Sequence, residues 1–452
     1  MTEQSTVVVG GGLAGIAAAL RLADAGRQVV LVEKRPRLGG AAFSFQRGDL
    51  VVDNGQHVFL RCCTAYQWFV QRIGAARDIV LQDRLDIPVL APSGRRARLF
   101  RLPGMPAPAH LGTALAGYGV LGLADRARAV RGALALRRLE PSDRSLDART
   151  LGEFLRAHGQ NDATIRALWG IVATATLNLD PDDASLALAA KVFRTGLLDS
   201  APAADVGYAA VPLGRLHDDA AAKALADAGV EVLTDSAVRS VVPGEHVHVE
   251  GPGGARSFAS ESVVLAVPHR DAFAVLPSLA DTSAARASEL GSSPIVNVHV
   301  VYDRRVTDLP FAAAVDSPVQ WFFDRSDSSG LARQRPGAQY LAVTVSAAAG
   351  LIDAPSRPVV HRFVPELARL LPDAARAEVV DAFVTRERHA TFRQAAGSWA
   401  LRPATDDGPD GVALAGAWTD TGWPDTMEGA VRSGVAAAEA AAGISERLGF
   451  DR

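Results

Sequence analysis

Thr6-Val7-Val8-Val9-Gly10-Gly11-Gly12-Leu13-Ala14-Gly15 decides how this chain begins to fold. A short β-branched run leads into glycines at the spacing G-x-G-x-x-G, occupied by Gly10, Gly12 and Gly15. The first glycine permits a tight turn, the second lets backbone approach a pyrophosphate, and the third lets a helix pack closely on the strand. Leu13 to Ala25 is rich in alanine and leucine and predicts that helix, with Gly26 as its C-cap. Leu13 and Ala14 open it, so their N–H groups and the helix dipole face the phosphates. A glycine pattern alone is weak evidence. Here a second apolar run, Gln28 to Val32, ends in Glu33, an acid placed to bond a ribose hydroxyl. The N-terminus therefore reads as a dinucleotide-binding strand–helix–strand unit.

The chain has 452 residues, room for roughly three domain-sized units. An apolar share of 48% supplies a large core and excludes a disordered chain. A net charge of -3 and a pI near 6.4 give no footprint for a nucleic-acid partner. The two cysteines, Cys62 and Cys63, are neighbours, a spacing that matches neither a bridge nor a zinc or redox motif, so no metal is expected. Met1 to Thr6 is polar and short, unlike a signal peptide, and no run reaches the ~18 apolar residues of a membrane span. The expected location is cytoplasmic, with room for peripheral contact at the inner face of the cell membrane.

The run after the second strand, Glu33-Lys34-Arg35-Pro36-Arg37-Leu38-Gly39-Gly40-Ala41, resembles the E-x-x-x-x-x-G-G segment of flavin amine oxidases and phytoene-type desaturases. In those families the paired glycines lie under the pyrophosphate and ribitol with basic residues nearby. The resemblance implies FAD as cofactor, with Lys34, Arg35, Gly39, Gly40 and Ala41 against it. It also implies an α/β fold with a Rossmann-like FAD-binding domain assembled from discontinuous segments, 1–84, 208–288 and 404–446. A mixed sheet-plus-helices substrate domain is expected from 85–207 and 289–403. Gly229 to Leu233 and Val238 to Val241 read as a strand pair after a helix, and the family's adenine contact falls on the backbone of Val238. Ser262 to Pro268 reads as a doubly covered strand. Near the C-terminus a strand ends at Gly416-Ala417, and a helix begins near Thr426 and Met427, its N-terminus suited to charge at the flavin's pyrimidine edge.

Finer motifs narrow the resemblance. Asp53-Asn54-Gly55-Gln56-His57-Val58, Ala175-Thr176-Leu177-Asn178, Val211 to Leu216 and Thr421 to Gly434 are similar to segments of the squalene-associated FAD-dependent desaturases, the hydroxysqualene dehydroxylases. That resemblance implies reductive removal of an allylic hydroxyl from a C30 isoprenoid, in bacterial hopanoid or isoprenoid biosynthesis, with electrons from an unidentified donor. It places Gly55, Gln56 and His57 over the flavin. His57 either protonates the leaving hydroxyl, orients a water that does, or packs as an ordinary hydrogen-bonded histidine. Gln56 joins it as a candidate catalytic residue, and Asp53 is an acid or a strand-end cap. One departure stands out: the family's G-D-W-T is Gly416-Ala417-Trp418-Thr419 here, with Asp420 close enough in sequence to stand in for the missing acid. Trp418 and Trp423 either flank the flavin or fill the core.

Other readings stay open. An oxidative isoprenoid desaturase uses the same scaffold. An amine oxidase places a lysine near the flavin, yet Lys34, Lys191 and Lys223 are the only lysines and none falls in Pro294 to Tyr302. A non-catalytic FAD-binding scaffold is the reading from another class. Pro106 to Leu139, helical in tendency with trailing arginines, is either an interfacial segment or a buried helical pair.

Overall fold

The structure is a computed structural model that describes residues 5–450, so the reading of Met1 to Gln4 lies outside the described residues. At its centre the strand Ser5–Val9 pairs in parallel with Val29–Val32 on one side and with the second half of Gly254–Leu265 on the other. Glu231–Leu233 and Val412–Leu414 extend this parallel array at its two edges. Because side chains alternate along a strand, the array has two apolar faces. Val8, Leu31, Val264 and Ala413 pack under the helices Leu13–Asp24 and Met427–Ala442. Val7, Val30, Val263 and Val412 face the other way, toward Val241, Val247 and Val249. The two helices touch closely at Gly434, where a Cβ would lie 2.0 Å from the carbonyl oxygen of Ala14. Both helix N-termini are thereby brought to the same end of the sheet.

The expected strand pair between residues 229 and 241 is corrected. Glu231–Leu233 joins the parallel array, whereas Ala237–Val242 forms an antiparallel meander with His246–Gly251 and the first half of Gly254–Leu265. Asp235, at φ 50°, turns the chain out of the parallel array. Its N–H and that of Ser236 donate to the carbonyls of Arg35 and Glu33. Those bonds hold the chain at the end of the second strand.

The second large sheet is mixed, in the order Val379–Thr391, Ser293–Tyr302, Gln339–Val345, Trp321–Asp324, Phe311–Ala314, Asp86–Leu90, Arg96–Phe100. Val296, Val298 and Val300 face the helix Ser356–Leu370 through Val359, Phe363 and Leu367. Alternation sends Asn297 and His299 to the opposite face, both fully buried. The stretch Pro106 to Leu139 does hold two helices, but the longer one is exposed along its outer face rather than fully buried. Gly117-Tyr118-Gly119 separates a short helix, Gly112–Ala116, from a long one, Leu123–Arg137. The fold is α/β, with strands and helices mixed through both sheets.

Candidate active site

The glycine turn is built as its spacing requires. Gly10 sits at φ 108°, and a Cβ on Gly15 would fall 1.8 Å from the carbonyl oxygen of Gly10. Gly12 differs: a Cβ there meets only the Cα of Gly40, at 3.7 Å. Gly12 is the N-cap of the helix Leu13–Asp24 and supplies no side-chain cap. The first N–H groups of a helix have no partner within it, and with no side-chain cap here they have the chemistry of an anion site. Glu33 accepts from the N–H of Gly11 at 2.6 Å and from that of Arg35 at 2.8 Å, so its carboxylate is fixed beside the turn.

The paired glycines fold back onto the turn, the N–H of Gly39 donating to the carbonyl of Gly11. Arg37 donates to the carbonyls of Leu38 and Gly40 and lies 3.5 Å over the ring of Phe43, while Arg35 reaches Gly40 from the other side. Lys34 points elsewhere and pairs with Asp271 at 3.0 Å in an exposed salt bridge. Arg37 is therefore better placed than Lys34 to meet a phosphate. Sequence reading also missed two supports under this loop. Asp218 accepts from the N–H of Leu38, and the fully buried His217 bonds the carbonyl of Ala42 and the hydroxyl of Tyr66. Burial, with a smaller push from His57, pulls His217 down to about 4. The neutral ring then donates through Nδ1 and accepts through Nε2.

The segment Asp53 to His57 lies between the loop that follows the paired glycines and the second large sheet. The Asn54 side chain bonds Phe43, Ala41 and Glu387. Its carbonyl accepts from Asn297 at 2.9 Å and from Thr385 at 3.2 Å. Gly55 sits between Asn297 and the His57 ring: a Cβ there would lie 3.6 Å from Asn297 Nδ2 and from His57 Nε2. The strand Ser293–Tyr302 thus presents a buried asparagine, and no lysine, to this loop. Gln56 Nε2 is buried without a partner among the described residues. Burial and the Arg325 charge hold His57 below the ordinary histidine range, against an opposing pull from Asp53.

Asp53 does not stand as an acid aimed at the site. Its oxygens are taken by Ser44 at 2.6 Å, the N–H of Leu213 at 2.9 Å and Arg325 at 2.6 Å. Arg325 also donates to the carbonyl of Ala209. This buried ion pair ties three distant segments together beneath the loop, which is a fastening role.

At the C-terminal end, Gly416 adopts φ 131° and Ala417 is buried against the helix that starts at Met427. The helix is capped by Thr426, whose hydroxyl accepts from the N–H of Gly429. Asp420 does not replace the missing acid at 417. Its carboxylate accepts from Trp399 and pairs with Arg144, turned away from the helix start. Trp418 donates to the carbonyl of Val267, and Trp423 lies between the cations of Lys191 and Arg432, so both are built into the core. Val238 lies at a β-bulge on the outer strand of the meander. One further acid emerged: Asp425, pushed up to about 6 by burial, accepts from the N–H of Phe392 one residue ahead of the helix cap.

Residues 13–442 match the family of flavin-containing amine oxidoreductases. The chain belongs to that family. Within it, the chain is 30% identical over 447 residues to the hydroxysqualene dehydroxylase of Rhodopseudomonas palustris, covering 96% of this chain and 97% of that one. It is 25% identical over 484 residues to the zeta-carotene desaturase of Capsicum annuum, covering 94% and 79%. Among solved structures, cyclohexylamine oxidase from Brevibacterium oxydans superposes with a TM-score of 0.66 at 18% identity, over 98% of this chain and all of that one. The protein is an FAD-dependent oxidoreductase. The residues fit the group: an uncapped helix N-terminus, a glycine with room for backbone approach, and an orphaned buried amide on the opposing loop. Gly10, Gly12, Leu13, Gly15, Glu33, Arg35, Arg37, Gly39 and Gly40 converge at one end of this cradle. Lys34 is turned away from that turn, toward Asp271.

Proposed function

We propose that this flavoenzyme reductively removes the allylic hydroxyl of hydroxysqualene to give squalene, in bacterial hopanoid or isoprenoid synthesis. The observation that carries the reading is likeness to hydroxysqualene dehydroxylases over 96% of the chain, at up to 30% identity. On this reading 1–84, 208–288 and 404–446 form the FAD-binding domain, and 85–207 and 289–403 the substrate domain. The net change is R–OH + 2 e⁻ + 2 H⁺ → R–H + H₂O, with the electrons drawn from a donor yet to be identified. Reduced FAD, when bound, supplies the electron pair as hydride. The protein's tasks are to hold the chain, keep water from the allylic cation, and place one proton on the leaving oxygen.

His57 is assigned that proton, with Gln56 orienting the hydroxyl beside it. An acid must carry its proton to act, so the rate falls as pH rises through its pKa. Burial and Arg325 lower that pKa, which puts the falling limb below the ordinary 6.5 of histidine. General acid help is worth ~10²–10⁴-fold. His57→Ala should retain FAD and slow reoxidation of the reduced enzyme by hydroxysqualene at least about tenfold, a floor on that range. It should also erase the limb. His57→Asn, which bonds without donating an acidic proton, should not recover the rate. Recovery assigns His57 to orientation alone. A limb that stays near 6 in both variants moves the proton to Asp425.

The experiment that tests the reaction itself is anaerobic. Dithionite-reduced enzyme mixed with hydroxysqualene should reoxidise and yield squalene. Bleaching of the oxidised enzyme by phytoene or squalene, with conjugated products, establishes the oxidative desaturase that the likeness to zeta-carotene desaturases also fits. An amine oxidase is disfavoured by Asn297, not lysine, on the strand facing Gly55. A scaffold without turnover predicts no reaction in either direction.

A further inference from the structure

Seven large hydrophobic side chains are exposed among the described residues, and four of them, Met105, Leu123, Val130 and Leu134, fall within one thirty-residue stretch. The helix Leu123–Arg137 explains why. Its inner face is made of Ala129, Gly132, Ala135 and Leu136, all buried, with Gly132 seated against Gln160 and Trp169. Leu123, Ala127, Val130 and Leu134 recur at i, i+4, i+7 and i+11 and form a ridge on the outer face. Leu123 is 80% exposed. From Leu102 to Ala124 no aspartate, glutamate, lysine or arginine interrupts the approach to that ridge.

Arginines flank the ridge on both sides, Arg126 and Arg137 along one edge, Arg128, Arg131 and Arg138 along the other. The nearby acids are already paired, Asp125 with Arg128 and Asn161, and Glu140 with Arg194. A groove of about 420 Å³ runs between Val130, Leu134 and His158, with Arg131 and Arg138 at its lip. An apolar ridge between cationic margins matches the boundary between acyl chains and anionic headgroups. We propose that this helix docks the enzyme on an anionic phospholipid bilayer. The proposal rests on the isoprenoid reading only for the purpose of the visit, since a C30 hydrocarbon resides in the membrane.

The test uses FAD-loaded enzyme without substrate, so its outcome is independent of the reaction. Wild type should co-sediment with vesicles of phosphatidylcholine and phosphatidylglycerol in equal parts, more weakly with phosphatidylcholine alone, and be released by salt. Each arginine at an anionic surface contributes about fivefold in partition, so Arg131→Gln with Arg138→Gln should lower it roughly 25-fold. Leu134→Asp, an exposed change that leaves the fold intact, should lower it at least about tenfold. Wild type that stays in the supernatant with both vesicles overturns the proposal. So does binding that both variants retain. A wild-type dimer that Leu134→Asp converts to monomer, seen by sedimentation velocity without lipid, assigns the ridge to self-association and overturns it as well.

Discussion

Gly12→Val should purify folded and colourless, while Gly15→Val should not purify at all. The two positions lie three residues apart in one turn, yet they answer to different constraints. A side chain at Gly15 meets the Gly10 carbonyl at 1.8 Å, a backbone clash that no rotamer relieves. At Gly12 the protein itself leaves space, with φ at -77° in an ordinary extended conformation and only the Gly40 Cα at 3.7 Å. What Gly12 keeps open is the approach of a pyrophosphate to the helix N-terminus. Gly12→Val should therefore fail to retain FAD through gel filtration. Its melting temperature should stay close to that of wild-type apoprotein. Flavin absorbance after gel filtration and a thermal melt of the apoprotein decide the matter. A yellow Gly12→Val refutes the assignment of this turn to the pyrophosphate. A well-folded Gly15→Val refutes the packing argument.

The second large effect concerns Asp53 and Arg325. Removing one partner of a buried ion pair leaves the other charge uncompensated, which costs about 3–5 kcal/mol. Arg325→Met should lower stability to urea by that order and loosen the flavin with it, because Asp53 anchors the strand that leads into Gly55 to His57. The double change Asp53→Asn with Arg325→Met removes both charges and should recover part of the loss. Asp53→Asn alone, with FAD retained and turnover only modestly reduced, agrees with fastening. A total loss of turnover in a stable, FAD-loaded Asp53→Asn returns Asp53 to the chemistry.

How much of this was legible in the sequence follows from the range over which each constraint acts. The glycine turn could be read because backbone conformation and close packing are settled within about thirty residues, from Thr6 to Glu33. The helix start at Met427 was legible for the same reason, its cap Thr426 being adjacent. The supports were not. Arg325 meets Asp53 across 272 positions, and Asn297 meets Asn54 across 243, so no local pattern announces either pair. His217 and Asp218 hold the paired glycines from the start of a helix nearly two hundred residues away. Adjacency also misled. Residues 229–233 and 238–241 read as one pair because they are neighbours in the chain, but the turn at Asp235 sends them to opposite edges of the strand array, one parallel to its neighbour and the other antiparallel. Asp420 misled similarly, near Ala417 in sequence but turned toward Trp399 and Arg144.

The parallel array has a consequence for the order in which the protein is made. Its central strand comes from residues 5–9, but its edges arrive with 231–233 and 412–414, and the helix touching Ala14 starts at Met427. A ribosome releases the chain from its N-terminus onward, so the first strand–helix–strand unit emerges long before the elements that cover it. Until the last helix appears, the apolar face around Val8 and Leu31 lacks one of its two lids, and closing the sheet must bear the entropy of a very long loop. Synthesis halted short of Met427 should yield a chain that chaperones retain and that takes up no colour. On this expectation FAD is taken up only after that helix has been made.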